Sequence, residues 1–154
     1  MKIHLFTTWY KSKTRNREME ICLKNNLDNP HIDFVCLLSE DGSLPEKDHP
    51  KLISFVVNER PLFSDFFDLI NEYEDSIAVV ANSDIYFDDT ISLVHNHLGE
   101  DECLALTRWN VQDNKEVVFY AHEDSQDAWV FRGEIKPGFY DFQMGYLGCD
   151  NRLA

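Results

Sequence analysis

Short apolar runs alternate with longer amphipathic stretches along this chain, and the alternation sets the expected elements. Ile3 to Thr8, Ile32 to Leu38, Leu52 to Val57 and Ile77 to Ala81 read as four strands. Between the first two, Met19, Cys22, Leu23 and Leu27 recur at helical spacing, which predicts a helix from Arg15 to Leu27, broken by Asn29-Pro30. Pro61 suits the first helical position and is expected to open a second helix, on which Leu62, Phe66, Leu69, Ile70 and Tyr73 share a face. Asp88, Asp89 or Thr90 can cap a short helix carrying Ile91, Val94 and Leu98. Cys103 to Thr107, Val117 to Ala121 and Ala128 to Phe131 are strand-like, Gly133 and Pro137-Gly138 mark turns, and Asp150 begins what looks like a helical turn.

A βαβαβ opening followed by a strand-rich back half predicts an α/β fold. The expected form is a Rossmann-type mixed sheet, mainly parallel in its N-terminal half and flanked by helices. In such sheets ligands bind beyond the carboxyl ends of the strands. The most informative stretch lies there: the apolar run Ser76-Ile77-Ala78-Val79-Val80 delivers Ala81-Asn82-Ser83-Asp84-Ile85-Tyr86-Phe87. An Asn-x-Asp pair can offer oxygen ligands to a hard divalent cation, which takes one or two carboxylates together with substrate phosphates. The same residues could instead close the strand as an Asx-turn and cap. That reading suits Asp88 and Asp89 better than Asn82 and Asp84, which precede Ile85, Tyr86 and Phe87 rather than a helix.

Other polar residues fall at strand ends. Thr7, Thr8 and Trp9 could meet a base and ribose, and the basic stretch Lys11, Lys13, Arg15 and Arg17 follows them; a solvated helix start is the alternative. Arg60, after the third strand, could form bidentate bonds to phosphate or pair with Glu59 or Asp65. Arg108-Trp109 and Asp127 combine charge with an aromatic, which suits a sugar; core packing is the alternative for Trp109 and for Trp129. Gly148-Cys149-Asp150 could present a carboxylate as a general base, or Asp150 could simply cap a helix.

Composition narrows the partners. At 154 residues one domain is expected, and a net charge of −14 argues against nucleic acid and anionic membrane surfaces. An acidic chain that holds a diphosphate needs a local cation, either a metal or well-placed arginines. Cys22, Cys36, Cys103 and Cys149 form no C-x-x-C pair, so reduced thiols are expected rather than zinc or disulfides. The short apolar start is not a signal peptide and no segment is long enough to span a bilayer, which gives the expectation of a cytoplasmic protein. Phosphate-loop, nucleophile-elbow and zinc-protease motifs are absent from the sequence.

The order Asn82-Ser83-Asp84, Thr107-Arg108-Trp109, Ser125-Gln126-Asp127-Ala128-Trp129 and Gly148-Cys149-Asp150-Asn151-Arg152 resembles the small bacterial and viral glycosyltransferase-like proteins of GT-A type. The resemblance covers nearly the whole chain and implies one GT-A-like domain over residues 1–154. Its nucleotide-binding half would be about 1–89 and its acceptor-side half about 90–154. It implies that Asp84, in a motif similar to D-x-D, is the ligand of Mn²⁺ or Mg²⁺. Asn82 or Ser83 would touch the ribose. Thr7, Thr8 and Trp9, with Arg15 and Arg60, would hold the nucleotide-sugar donor, UDP-linked by expectation. Arg108, Trp109 and Asp127 would face the sugar or a hydroxyl acceptor such as a glycan. Asp150 would be the catalytic base, with Asp127 as the substitute. A metal-dependent nucleotidyltransferase and a non-catalytic nucleotide- or glycan-binding module are the alternatives, and a homo-oligomer is possible under each.

Overall fold

The computed structural model describes residues 1–46, 48–73, 75–122, 125–146 and 148–153, without the side chains of Asp150 and Asn151. Three strands form where apolar runs are long enough to be buried on both faces, β1 (Lys2–Trp9), β2 (Phe34–Ser39) and β4 (Ser76–Ala81), and a fourth, β3 (Leu52–Val56), forms as a partly exposed edge strand. Helix α1 (Asn16–Asp28) links β1 to β2, and α2 (Phe63–Asn71) links β3 to β4. A 3-10 turn (Asp89–Leu93) and α3 (Val94–His97) lead to β5 (Glu102–Leu106). The short strands β6 (Trp109–Val111) and β7 (Val117–Phe119) precede β8 (Ala128–Arg132), and α4 (Asp150–Leu153) follows.

The main sheet has six strands in the order β3-β2-β1-β4-β8-β5. The first four run parallel, while β8 runs antiparallel to both β4 and β5. The chain winds outward from β1 through β2 to β3, then returns to place β4 on the other side of β1. The crevice between β1 and β4 is therefore the topological switch point. Because β8 is reversed, it begins where its neighbours end. One edge of the sheet thus gathers the carboxyl ends of β1 to β5 and the amino end of β8.

Strand alternation sends side chains to two cores. Ile3, Leu5 and Trp9 of β1 join Val35, Leu37, Val79 and Val130 against Met19, Leu23 and Leu27 of α1 and against Ile91, Val94 and Leu98. Phe6, Cys36, Leu38, Val80 and Trp129 face the other way, against Phe63, Phe66, Phe67 and Ile70 of α2 and against Phe142 and Met144. The architecture is helix, sheet, helix, as the hydrophobic pattern predicts.

Two expectations need correction. The helix expected from Pro61 begins at Phe63: Leu62 sits outside it in extended backbone, and its N–H donates to the Asp65 carboxylate at 2.7 Å. Its buried face is accordingly Phe63, Phe66, Phe67 and Ile70. Val117 to Ala121 does not join the main sheet; Val117–Phe119 pairs with Trp109–Val111 in a separate ribbon, whose first strand was not read from the sequence. Trp129 is fully buried, as core packing requires, whereas Trp109 is 61% exposed on the ribbon.

At the opposite end of the sheet, His4 is buried among Phe6, Phe34 and Tyr73, and neither ring nitrogen has a hydrogen-bond partner among the described residues. Burial pushes its pKa below the ordinary 6.5, against the opposing pull of Asp33. Below about pH 6.5 the unfolded chain takes up the proton before the folded one does, so stability falls as pH drops through that range. His4→Phe is expected to remove this contribution and to stabilise the neutral-pH fold by about 1–3 kcal/mol, by eliminating two unsatisfied polar atoms. Urea denaturation of both proteins between pH 5 and 8 checks it; equal pH dependence would contradict the assignment.

Candidate functional site

The switch-point edge is where the polar residues converge. β4 ends at Ala81, and the backbone turns at once: the Ile85 N–H donates to the Asn82 carbonyl at 3.1 Å. The two side chains named for a cap do not make one. Asn82 turns to Asp127, its Nδ2 lying 3.4 Å from Oδ1, and Asp84 Oδ2 accepts from Arg15 Nη2 at 2.5 Å. Capping falls to Asp88, which accepts from the Thr90 N–H at the start of the 3-10 turn.

Residues 85–88 are held by two asparagines that the sequence reading did not mark as functional. Asn26 of α1, 3% exposed, donates to the Ile85 carbonyl at 2.9 Å and accepts from the Phe87 N–H at 3.0 Å. Asn29 donates to the Phe87 and Asp88 carbonyls at 2.9 and 3.1 Å. A loop with no regular partners thereby satisfies its backbone groups, and Asn82-Ser83-Asp84 is fixed at the mouth of the crevice.

Asp127 sits where β4, β5 and β8 meet. Its N–H donates to the Leu106 carbonyl and its carbonyl accepts from the Asn82 N–H. Both carboxylate oxygens accept from Arg108 Nη1, at 2.8 and 2.7 Å. Arg108 Nε bonds Asn110, and its guanidinium lies 4.0 Å from the Tyr120 ring centroid. Arg108 is thus set rigidly at the base of the β6–β7 ribbon, near enough to Asp84 to feel its charge. Both oxygens of Asp127, the substitute base of the sequence reading, are thereby engaged by Arg108. Trp109 lies on the exposed ribbon against Phe119.

On β1, the Thr7 hydroxyl is buried with no hydrogen-bond partner among the described residues. A buried orphan hydroxyl costs free energy unless a ligand or water completes it. Thr8, on the opposite face, bonds Glu40, which also pairs with Arg60 at 3.7 Å. Burial pushes the Glu40 carboxyl above its usual range, although Arg60 and Thr8 pull it down. Nothing local in the sequence singles out Glu40; its place beside Thr8 at this edge comes from the β1–β2 register. Trp9 contributes differently from expectation, because its ring packs in the α1-side core and is 7% exposed. Two groups of contacts thus lie along this edge of the sheet: Thr8, Glu40 and Arg60 beyond β1 and β2, and Arg15, Asn82, Asp84, Arg108 and Asp127 around the end of β4, with the Thr7 hydroxyl on the other face of β1 from Thr8. Ser83 lies in the β4 turn, and the side chain of the expected base Asp150 lies outside the described residues.

Among the described residues no three His, Cys, Asp or Glu side chains converge to cage a metal ion. The donor set fits a leaner arrangement. Mg²⁺-type ions use one or two carboxylates and complete their shell with substrate phosphates and water, and Asp84 with Asn82 could supply that share. The Arg15 guanidinium already stands against Asp84 as a cation. No helix among the described residues is long and apolar enough to cross a membrane.

No protein-family model and no curated protein matches the chain. Solved structures do. The 4-diphosphocytidyl-2C-methyl-D-erythritol synthase of Anaerococcus prevotii aligns with a TM-score of 0.53 at 15% identity, covering 85% of this chain and 70% of that one. The 2-C-methyl-D-erythritol 4-phosphate cytidylyltransferase of Francisella tularensis aligns at 0.49 and 10% identity, over 99% of this chain and 98% of that one. The first likeness shows the fold alone: a Rossmann-like mixed sheet flanked by helices, shared with that synthase. The expected Rossmann-type mixed sheet is thus met, while the likeness does not extend to a GT-A assignment.

Proposed function

We propose that this chain is a nucleotide-dependent transferase that holds a nucleoside phosphate in the β1–β4 crevice, and that the transferred group is a nucleotidyl group. The observation that carries the reading is the convergence of Arg15, Asn82, Asp84, Arg108 and Asp127 at the switch point. The fold shared with a diphosphocytidyl-forming synthase supports nucleotidyl over other transfers. Thr7 supplies an unsatisfied hydroxyl to a ribose or base, and Thr8 with Glu40 offers a polar edge beside it. Arg15 and Arg108 lie where phosphates would meet them, the latter oriented by Asp127. Mn²⁺ or Mg²⁺, held by Asp84, would offset charge on the departing pyrophosphate. Asp150 is the proposed base toward the attacking group.

A second reading, glycosyl transfer from a nucleoside-diphosphate sugar to a hydroxyl acceptor, has its own support. No glycine lies between Trp9 and Asn16 to build a phosphate-cradling loop, and Asn82-Ser83-Asp84 resembles D-x-D. One assay separates the readings. The protein is incubated with each nucleoside triphosphate and a panel of sugar and polyol phosphates, and separately with nucleoside-diphosphate sugars. Pyrophosphate release supports nucleotidyl transfer, and nucleoside diphosphate release supports glycosyl transfer. Nucleotide binding with neither product would mean a binding module.

A further inference from the structure

Arg15 stands immediately before α1, with its guanidinium divided between two carboxylates. Nε donates to Glu18 at 3.0 Å and Nη2 to Asp84 at 2.5 Å. The pair is accessible: the side chains of Arg15 and Asp84 are 43% and 32% exposed. Asp84 is the carboxylate best placed to take a divalent ion, and Arg15 is among the cations best placed to take a phosphate. In the structure each occupies the other. Neither a metal nor a nucleotide can engage its partner fully while that ion pair stands.

We infer that the Arg15–Asp84 pair is an exchange element that couples divalent-cation binding to nucleotide binding. This rests on the nucleotide-binding reading above. When Asp84 turns to a divalent ion, Arg15 loses one of its two acceptors. Glu18 still holds Nε, so the guanidinium is kept at the crevice with its Nη groups released toward a phosphate. When a phosphate draws Arg15 away first, Asp84 is left an uncompensated carboxylate and attracts the ion more strongly. Each ligand removes the other's competitor, and by linkage the two effects are equal in free energy. The carboxylate and guanidinium neutralise each other until both ligands arrive, which keeps the site from trapping either one alone.

The test is opposite-signed, which a merely structural role would not produce. Calorimetric titrations measure Mn²⁺ binding to the protein alone, and CDP or UDP binding with and without Mn²⁺, for the wild type, Arg15→Gln and Arg15→Lys. Arg15→Gln is expected to tighten Mn²⁺ binding to the protein alone about two- to fivefold, by removing a half-exposed competing charge. It should weaken nucleotide binding in the presence of Mn²⁺ about tenfold or more, by removing a charge-assisted contact. Arg15→Lys, which keeps the charge, should restore the wild-type Mn²⁺ affinity and only part of the nucleotide affinity. Asp84→Asn should bind nucleotide in EDTA at least as well as the wild type, because Arg15 is released. If Arg15→Gln moves both affinities in the same direction, or neither, the exchange is overturned while nucleotide binding stands. If the wild type binds no nucleotide with or without Mn²⁺, the exchange fails together with the reading beneath it.

Discussion

Replacing Asn26 by leucine is expected to cost about 3 kcal/mol of stability, because the Ile85 carbonyl and the Phe87 N–H lose their partners within a part-buried contact. For a chain of this size that lowers the melting temperature by about 6–12 °C. Leucine fills similar space, so the loss comes from the unpaired backbone groups rather than from a cavity. Ile21→Ala, at an exposed position of the same helix, should change stability by less than about 0.5 kcal/mol. Thermal and urea denaturation of both variants check it. The same change should loosen residues 82–88 and weaken nucleotide binding, although Asn26 touches none of the proposed ligand groups. A stability loss no larger than that of Ile21→Ala would contradict the role given to this contact.

Asp84→Ala has the largest expected effect on binding. The metal-dependent increment in nucleotide affinity should disappear, leaving affinity with Mg²⁺ or Mn²⁺ equal to that in EDTA, a drop of at least about tenfold. Stability should change by no more than about 1 kcal/mol, since Asp84 and Arg15 form a part-exposed pair. Calorimetric titration of the nucleotide beside a denaturation curve separates the two effects. An unchanged metal-dependent affinity would remove Asp84 from the site.

The four parallel strands and α1 were legible because their signals are local: apolar runs of strand length, helical spacing at Met19, Cys22, Leu23 and Leu27, and a break at Asn29-Pro30. The carboxyl edge was legible for the same reason, since strand ends can be counted along the chain. What escaped depends on distant partners. Asn26 and Asn29 look like ordinary helix-end polar residues until the loop some sixty positions later folds onto them. Glu40 carries no local signal until the β1–β2 register sets it beside Thr8. Trp9 sits at a ligand-facing position in sequence, yet alternation along β1 turns it into the same core as Ile3 and Leu5. Trp109 shows the reverse: its strand has three residues, too short to stand out, and pairing with Phe119 forms only in a ribbon apart from the main sheet. The Arg15–Asp84 and Arg108–Asp127 pairs were present as residues in the sequence reading but not as partners. Charge attraction over such separations is realised only when the sheet brings the groups together.

The central claim is that a nucleotide binds at the β1–β4 edge. The most direct measurement is amide chemical-shift mapping of the ¹⁵N-labelled protein during titration with CTP or UDP in Mg²⁺. The largest shifts should fall on Thr7, Thr8, Arg15 and Asn82 to Asp84, with smaller ones at Arg108 and Asp127. Saturating shifts confined elsewhere, for instance around His4 and Tyr73 at the opposite end of the sheet, or no shifts at millimolar nucleotide, would contradict it.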